Sequence, residues 1–204
     1  MQIRKLWGGL YASNAYLVVA KDESVLIDPS LSPTEFQKQL GEEAIMPKLI
    51  LLTHAHFDHM LGLDAWRKLG IPLAVHRMDA PALGDPAKSY FRPFLHREDV
   101  FMPPEQELEE GTVIPLGNEF LRVLHTPGHT MGSVCYLGDG VIFTGDTVFT
   151  DGDYGRTDLY GGDEVTLFSS IRRLSQLPEK EGDLVMYPGH GGEGNFRAHM
   201  KFFG

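Results

Sequence analysis

The chain has 204 residues, 42% of them hydrophobic and 23% charged, with a formal net charge of −10. That length is enough for a sizeable core, so a single domain over 1–204 is expected. The acidic balance argues against a nucleic-acid or anionic-membrane partner, and the single cysteine, Cys135, excludes an internal disulfide framework.

Strands are expected first, at Gln2 to Leu6, Asn14 to Val19 and Val25 to Ile27. Arg4 and Lys5 ahead of the apolar run Leu6 to Ala20 look like a secretory signal. Gly8, Gly9, Ser13 and Asn14 break that run, and Lys21-Asp22-Glu23 turns it into a hairpin. No stretch is long enough to span a membrane, so a cytoplasmic protein with no membrane partner is expected. A helix follows from Pro33 to Leu40, with Ser32 as its N-cap. The apolar run Leu49-Ile50-Leu51-Leu52 reads as a buried strand that hands over to Thr53-His54-Ala55-His56-Phe57-Asp58-His59. A helix is expected from Asp58 to Leu69, with Leu61, Ala65, Trp66 and Leu69 on its apolar face and Gly70 and Pro72 at its end.

A short strand, Leu73 to Val75, and a short helix to Leu83 come next. The segment Gly84 to Glu110 reads as a long binding loop, and its acidic run Glu105 to Glu110 as a solvated face. Strands then follow at Val113 to Leu116, Glu119 to Leu124, Ser133 to Leu137 and Val141 to Phe143. Cys135 lies in the third of these and reads as a buried structural thiol. A helix from Asp163 to Leu177, a strand at Leu184 to Tyr187 and a short helix from Asn195 to Phe203 complete the pattern. Grouped strands with helices outside them suggest two sheets covered on both sides.

The densest chemistry is His54 to His59. In an extended segment, positions two apart point the same way, so His54 and His56 can converge on one ion while Asp58 and His59 face another direction. Histidine and carboxylate at this density suit zinc, iron or manganese. Three later strands each run into another candidate ligand: His129 in Pro127-Gly128-His129, Asp146 after Gly145, and His190 in Pro188-Gly189-His190. Loops past the C-terminal strand edge converge in layered α/β proteins, and glycine lets backbone approach closely.

These residues, in this order, resemble the metallo-β-lactamase superfamily over nearly the whole chain. The resemblance implies an α/β fold, a four-layer αββα sandwich of two mixed sheets. It implies one metal held by His54, His56 and His129, a second held by Asp58, His59 and His190, and Asp146 between them. Two zinc ions are implied, with iron or manganese as alternatives at either position. Asp58 and Asp146 are the candidate catalytic carboxylates, and Asp28 in Leu26-Ile27-Asp28-Pro29 looks like the family's supporting carboxylate beside the ligands.

Gly145-Asp146-Thr147-Val148-Phe149 is similar to the glyoxalase II-like group, and Gly155-Arg156-Thr157-Asp158 to its short members and to the related persulfide dioxygenases. The activity implied is hydrolysis of a thioester, of the acyl-glutathione type, on a small-molecule substrate. The stretch Gly191 to Phe196 departs from the short relatives and leaves the thiol carrier open. Two other readings stand beside this one. A persulfide dioxygenase would hold a single iron on residues matching His54, His129 and Asp146, and a non-catalytic protein would only bind metal. Arg156 is either a contact to an anionic substrate group or a partner of Asp158, the commoner arrangement. Tyr154, Tyr90 and Phe91 are candidate pocket residues. His76 is a candidate neighbour of the ligands, and His125 reads as structural. The oligomeric state stays open.

Overall fold

A computed structural model describes residues 1–203; the last position of the expected 1–204 span lies outside them. The first sheet runs β1 (Gln2–Trp7), β2 (Asn14–Ala20), β3 (Glu23–Ile27), β4 (Leu49–Leu51), β5 (Leu73–His76) and β6 (Gln106–Leu108), with neighbours in chain order. Its opening hairpins are antiparallel, and β3 to β6 are parallel. Parallel neighbours need crossovers, and these carry the helices: α1 (Pro33–Leu40), α2 (Leu63–Lys68), α3 (Ala80–Leu83) and α4 (Phe91–Leu95).

The second sheet holds β7 (Val113–Leu116), β8 (Glu119–His125), β9 (Val134–Gly138), β10 (Val141–Gly145), β11 (Val185–Pro188) and β12 (Gly194–Asn195), again side by side in chain order. β10 and β11 are its parallel pair. They are joined through α5 (Glu164–Leu174) and α6 (Leu177–Glu181), and α7 (Phe196–Met200) follows β12.

Side-chain alternation sorts the core into three layers. In β2, Tyr16 and Val18 face the second sheet, packing with Tyr136 and Phe143, while Leu17 and Val19 face α1 and α2. On the far side, Leu167 and Ile171 of α5 and Phe196 of α7 cover Leu124, Cys135 and Ile142. The expected αββα sandwich follows from these three apolar layers. The layer under α1 shows how local sequence sets packing. Ser32 Oγ accepts from Glu35 N at 3.2 Å, Pro33 opens the helix and Phe36 is its buried residue. Phe36 meets Trp66 edge-on at 5.1 Å, and Trp66 Nε1 donates to Leu31 O at 2.8 Å.

Several expectations need correction. The helix expected from Asp58 to Leu69 is split into a 3-10 turn, Phe57–His59, and α2. Gly62 marks the break: a Cβ there would lie 2.0 Å from Leu31 O, so the chain is pinned by backbone contact before the helix can begin. The helix expected to reach Leu177 stops at Leu174, and Pro178 opens the separate α6. The last helix ends at Met200 and continues as a 3-10 turn, Lys201–Phe203. The segment 84–110 is not all loop, since it contains α4 and the edge strand β6. The acidic run is likewise not merely solvated. Leu108 is buried, and Glu105 accepts from Arg67 and from Leu73 N.

Candidate metal centre

The two sheets deliver the candidate ligands to one edge. β4 ends just before Thr53, and the loop that follows carries His54 and His56. β10 and β11 run side by side, so Asp146 and His190, both just past their ends, become neighbours. Gly189 N donates to Gly145 O at 2.8 Å, tying these two exits together. The glycines here are steric necessities. A Cβ on Gly189 would lie 2.1 Å from Asp146 Oδ1, and one on Gly155 would lie 2.0 Å from Asp146 O.

The ligand atoms fall into His54/His56/His129, His54/His59/Asp146 and Asp58/His59/His190, each group with its atoms within 4.8 Å of one another. Asp146 faces both histidine sets. Its Oδ1 is 3.3 Å from His59 Nε2, and its Oδ2 is 3.5 Å from His190 Nε2 and 3.7 Å from His129 Nε2. Asp58 Oδ2 lies 3.1 Å from His190 Nε2.

Hydrogen bonding behind the rings shows what the front atoms are for. His129 Nδ1 lies 2.7 Å from Arg156 O, which can only accept, so Nδ1 carries the proton. Thr53 Oγ1 donates to Asp28 Oδ2 at 2.8 Å and therefore accepts from His54 Nδ1 at 3.1 Å. Rings that donate through Nδ1 present Nε2 at the front, and those of His54 and His129 face each other at 3.2 Å. Two lone pairs at that distance repel unless a cation sits between them. His56 Nε2, His59 Nε2 and Asp146 Oδ1 are also buried with no hydrogen-bond partner among the described residues. Unsatisfied buried polar atoms are costly, and these three belong to one set whose chemistry suits metal. The residues present therefore fit a pair of ions.

Burial, reinforced by neighbouring rings, holds His54 well below the usual histidine range and His56 down at about 3, so both are neutral and ready to ligate. Burial would raise Asp58 and Asp146, but the nearby histidines outweigh it and hold both carboxyls low. Burial lowers His190 too, but its hydrogen bonds to Asp146 and Asp58 carry it from 6.5 up to about 9. His190 is therefore protonated in the metal-free fold at neutral pH. A raised pKa stabilises the fold fully below 6.5, and that contribution is lost as pH rises through about 9. The chelated protein is expected to show a falling melting temperature across that window. A bound ion replaces the proton, so the loaded protein should not show the same fall. A flat profile after chelation would contradict this assignment.

The supporting residues are only partly those expected. Asp28 sits against the ligands: Oδ1 accepts from Thr53 N at 2.8 Å and Oδ2 lies 2.8 Å from His59 Nδ1. Asp79 was not foreseen. It is buried and accepts from Ala55 N at 2.9 Å, Gly132 N at 2.7 Å and Thr130 Oγ1 at 2.8 Å. One carboxylate thus clamps the His54–His59 loop to the loop that carries His129. Burial holds that carboxyl above the usual range, and the three hydrogen bonds offset only part of the rise.

A cleft of about 290 Å³ opens onto the centre, and its lining includes Asp58, Asp146, His190, Tyr90, Phe94, Phe149 and Arg156. Tyr154 is not part of it. Its ring packs on Phe168 at 4.9 Å and Phe203 at 6.4 Å, in the layer under α5 and α7, which corrects the expectation of a pocket residue. Phe91 is also in the core, packed on Phe101 at 5.5 Å. Phe57, Phe94 and Phe149 take the lining role instead. Arg156 pairs side-on with Asp158, both contacts at 2.7 Å. His76 stacks on His125 at 4.0 Å and 13°, and its Nδ1 accepts from Met78 N at 3.3 Å; among the described residues it bonds none of the candidate ligands.

Layering and site together define an αββα protein with a histidine and aspartate metal centre at one sheet edge. The profile of the metallo-beta-lactamase superfamily matches residues 8–190. A Bacillus subtilis protein called a probable metallo-hydrolase is 36% identical, covering 95% of this chain and 92% of its own. The crystal structure of BLEG-1, a B3 metallo-beta-lactamase, is 33% identical with a TM-score of 0.88, covering 98% of this chain and 97% of its own. A crystal structure in a di-iron-bound form is 34% identical with a TM-score of 0.78, covering 96% and 95%. The chain belongs to the metallo-β-lactamase superfamily.

Proposed function

We propose that this protein is a metal-dependent hydrolase that cleaves a thioester of a small acyl group, the thiol carrier being open. The observation that carries the hydrolase reading is the chemistry of the cleft wall. None of its lining residues is Ser, Thr or Cys. Cys135 is buried beneath α5, and burial pushes its thiol up to about 11. With no serine, threonine or cysteine nucleophile on the wall, this reading takes the attacking oxygen from water. The thioester reading rests on the likeness of Gly145 to Phe149 and Gly155 to Asp158 to the glyoxalase II-like group.

His54, His56 and His129 would hold one ion, Asp58, His59 and His190 the other, with Asp146 shared. A zinc pair, or iron or manganese in its place, acidifies water towards neutrality and polarises an acyl carbonyl. The chain supplies the positioning. Asp28 and Thr53 fix the rings of His59 and His54 from behind. Asp58, in the lining of the cleft and held ionised, would orient the attacking water. The aromatic wall keeps bulk water off the acyl group.

The test is a panel of thioesters assayed with metal-loaded and chelated protein, beside a chromogenic β-lactam. Metal-dependent release of thiol from at least one thioester, above any β-lactam opening, is the expected result. A preparation that opens the β-lactam and turns over no thioester at any metal loading would overturn the assignment.

A further inference from the structure

We infer that the group of the substrate that does not react is apolar and about the size of one aromatic ring, held in a slot formed by Phe57, Tyr90, Phe94 and Phe149. This rests on the hydrolase reading above and narrows its substrate class. The cleft of about 290 Å³ is just under the usual range for small-molecule sites, ~300 to 1,000 Å³, so it seats one compact group.

Its walls are built for a flat apolar body. Phe57 and Phe94 stack at 5.4 Å with 19° between their planes, and Tyr90 leans on Phe94 at 5.7 Å. Phe94 is still 48% exposed in the lining of the cleft despite those two contacts. Across the centre, Phe149 stands edge-on to His190 at 6.1 Å.

Tyr90 shows that the slot is held in place. Its φ is 67°, a left-handed conformation that bulky residues rarely adopt and that tends to be found at functional sites. The conformation is secured from both ends. Phe57 N donates to Ser89 O at 2.8 Å, and the Tyr90 hydroxyl accepts from Tyr160 N. The ring is thereby set edge-on to His56 at 5.4 Å, on the rim of the metal centre.

The same wall offers little to an anionic carrier. Arg156, the cation of the lining apart from the histidines, is already bidentate to Asp158. Nearby Lys88 lies 3.6 Å from Asp85 and over the Tyr160 ring at 5.2 Å. A carrier with two carboxylates, such as glutathione, would have to displace an existing pair in a protein of net charge −10.

Two readouts on metal-loaded protein test this. In the first, phenylacetyl, acetyl and succinyl thioesters of one neutral thiol are compared, together with the phenylacetyl thioester of glutathione. The second is calorimetric binding of phenylacetate against acetate, which needs no turnover. The neutral phenylacetyl thioester should lead the acetyl one by about tenfold in kcat/KM, and phenylacetate should bind more tightly than acetate. Phe94→Ala, a substitution at an exposed position, should erase both preferences. If the succinyl or glutathione thioester leads, or if Arg156→Ala raises KM where Phe94→Ala does not, the slot is overturned and the hydrolase reading stands. If no thioester turns over, the thioester reading falls, and calorimetry still decides the slot: equal binding of the two acids would refute it.

Discussion

Asp146→Ala should abolish turnover and empty the centre of metal. The side chain is 10% exposed, and its oxygens face His59 on one side and His129 and His190 on the other. It is the anion between the two ligand sets, and its Oδ1 has no hydrogen-bond partner among the described residues. In the proposed arrangement its removal would take away one charge and a ligand shared by both ions. Metal clamping contributes several kcal/mol to such a reaction, so a loss of at least about 10³-fold in kcat is expected. Elemental analysis of the purified variant, beside its kcat, checks both halves. Circular dichroism separates this from unfolding, because the strands behind Asp146 pack through Ile142 and Phe143 rather than through the carboxylate. A variant with full activity and full metal content would refute the site.

Asp28→Ala should damage stability and metal binding together. The carboxylate is buried and makes bonds of 2.8 Å to Thr53 N, Thr53 Oγ1 and His59 Nδ1. Truncation leaves these donors buried and unpaired, and with His59 protonated in the metal-free fold it also breaks an ion pair. Burial lowers His59, but Asp28, Asp146 and Asp58 outweigh it and hold the ring well above 6.5. Breaking a buried pair from one side costs about 3–5 kcal/mol, and losing the partner behind a ligating ring weakens metal binding about 10–100-fold. Asp28→Asn separates the two effects. Asparagine tolerates the φ of 52° found here and keeps the shape, but one amide cannot accept from all three donors. It should melt closer to wild type while still losing metal affinity in a chelator competition. Unchanged affinity in both variants would remove Asp28 from the centre's support.

The sequence made the ligand cluster legible because its spacing is local. Positions two apart in an extended loop share a direction, and His54 to His59 needed no knowledge of the rest of the chain. The strand exits at His129, Asp146 and His190 were readable for a related reason, since each apolar run ends in glycine or proline just before a polar residue. Asp79 was hidden. In Arg77-Met78-Asp79-Ala80-Pro81 it looks like a helix cap, yet it makes no cap hydrogen bond and turns its carboxylate to donors from two distant loops. β6 was masked by its own charges, with Leu108 as the one buried residue among exposed acidic and polar neighbours. Tyr154 was misjudged because it sits beside Gly155 and Arg156. A bridge to Val148 turns the chain there and sends the ring to Phe168 instead. The pocket aromatics Phe94 and Phe149 carry no periodic signal of their own, and only the folded positions of the 84–110 segment and of the loop after Asp146 show where they face.

The most direct test is metal content per chain, by elemental analysis of protein purified without added metal or chelator. About two transition-metal ions per chain, lost together on chelation and regained with thioester hydrolysis, is the predicted result. A single iron with oxygen consumption on a thiol persulfide, or no metal at all in an active protein, would contradict it.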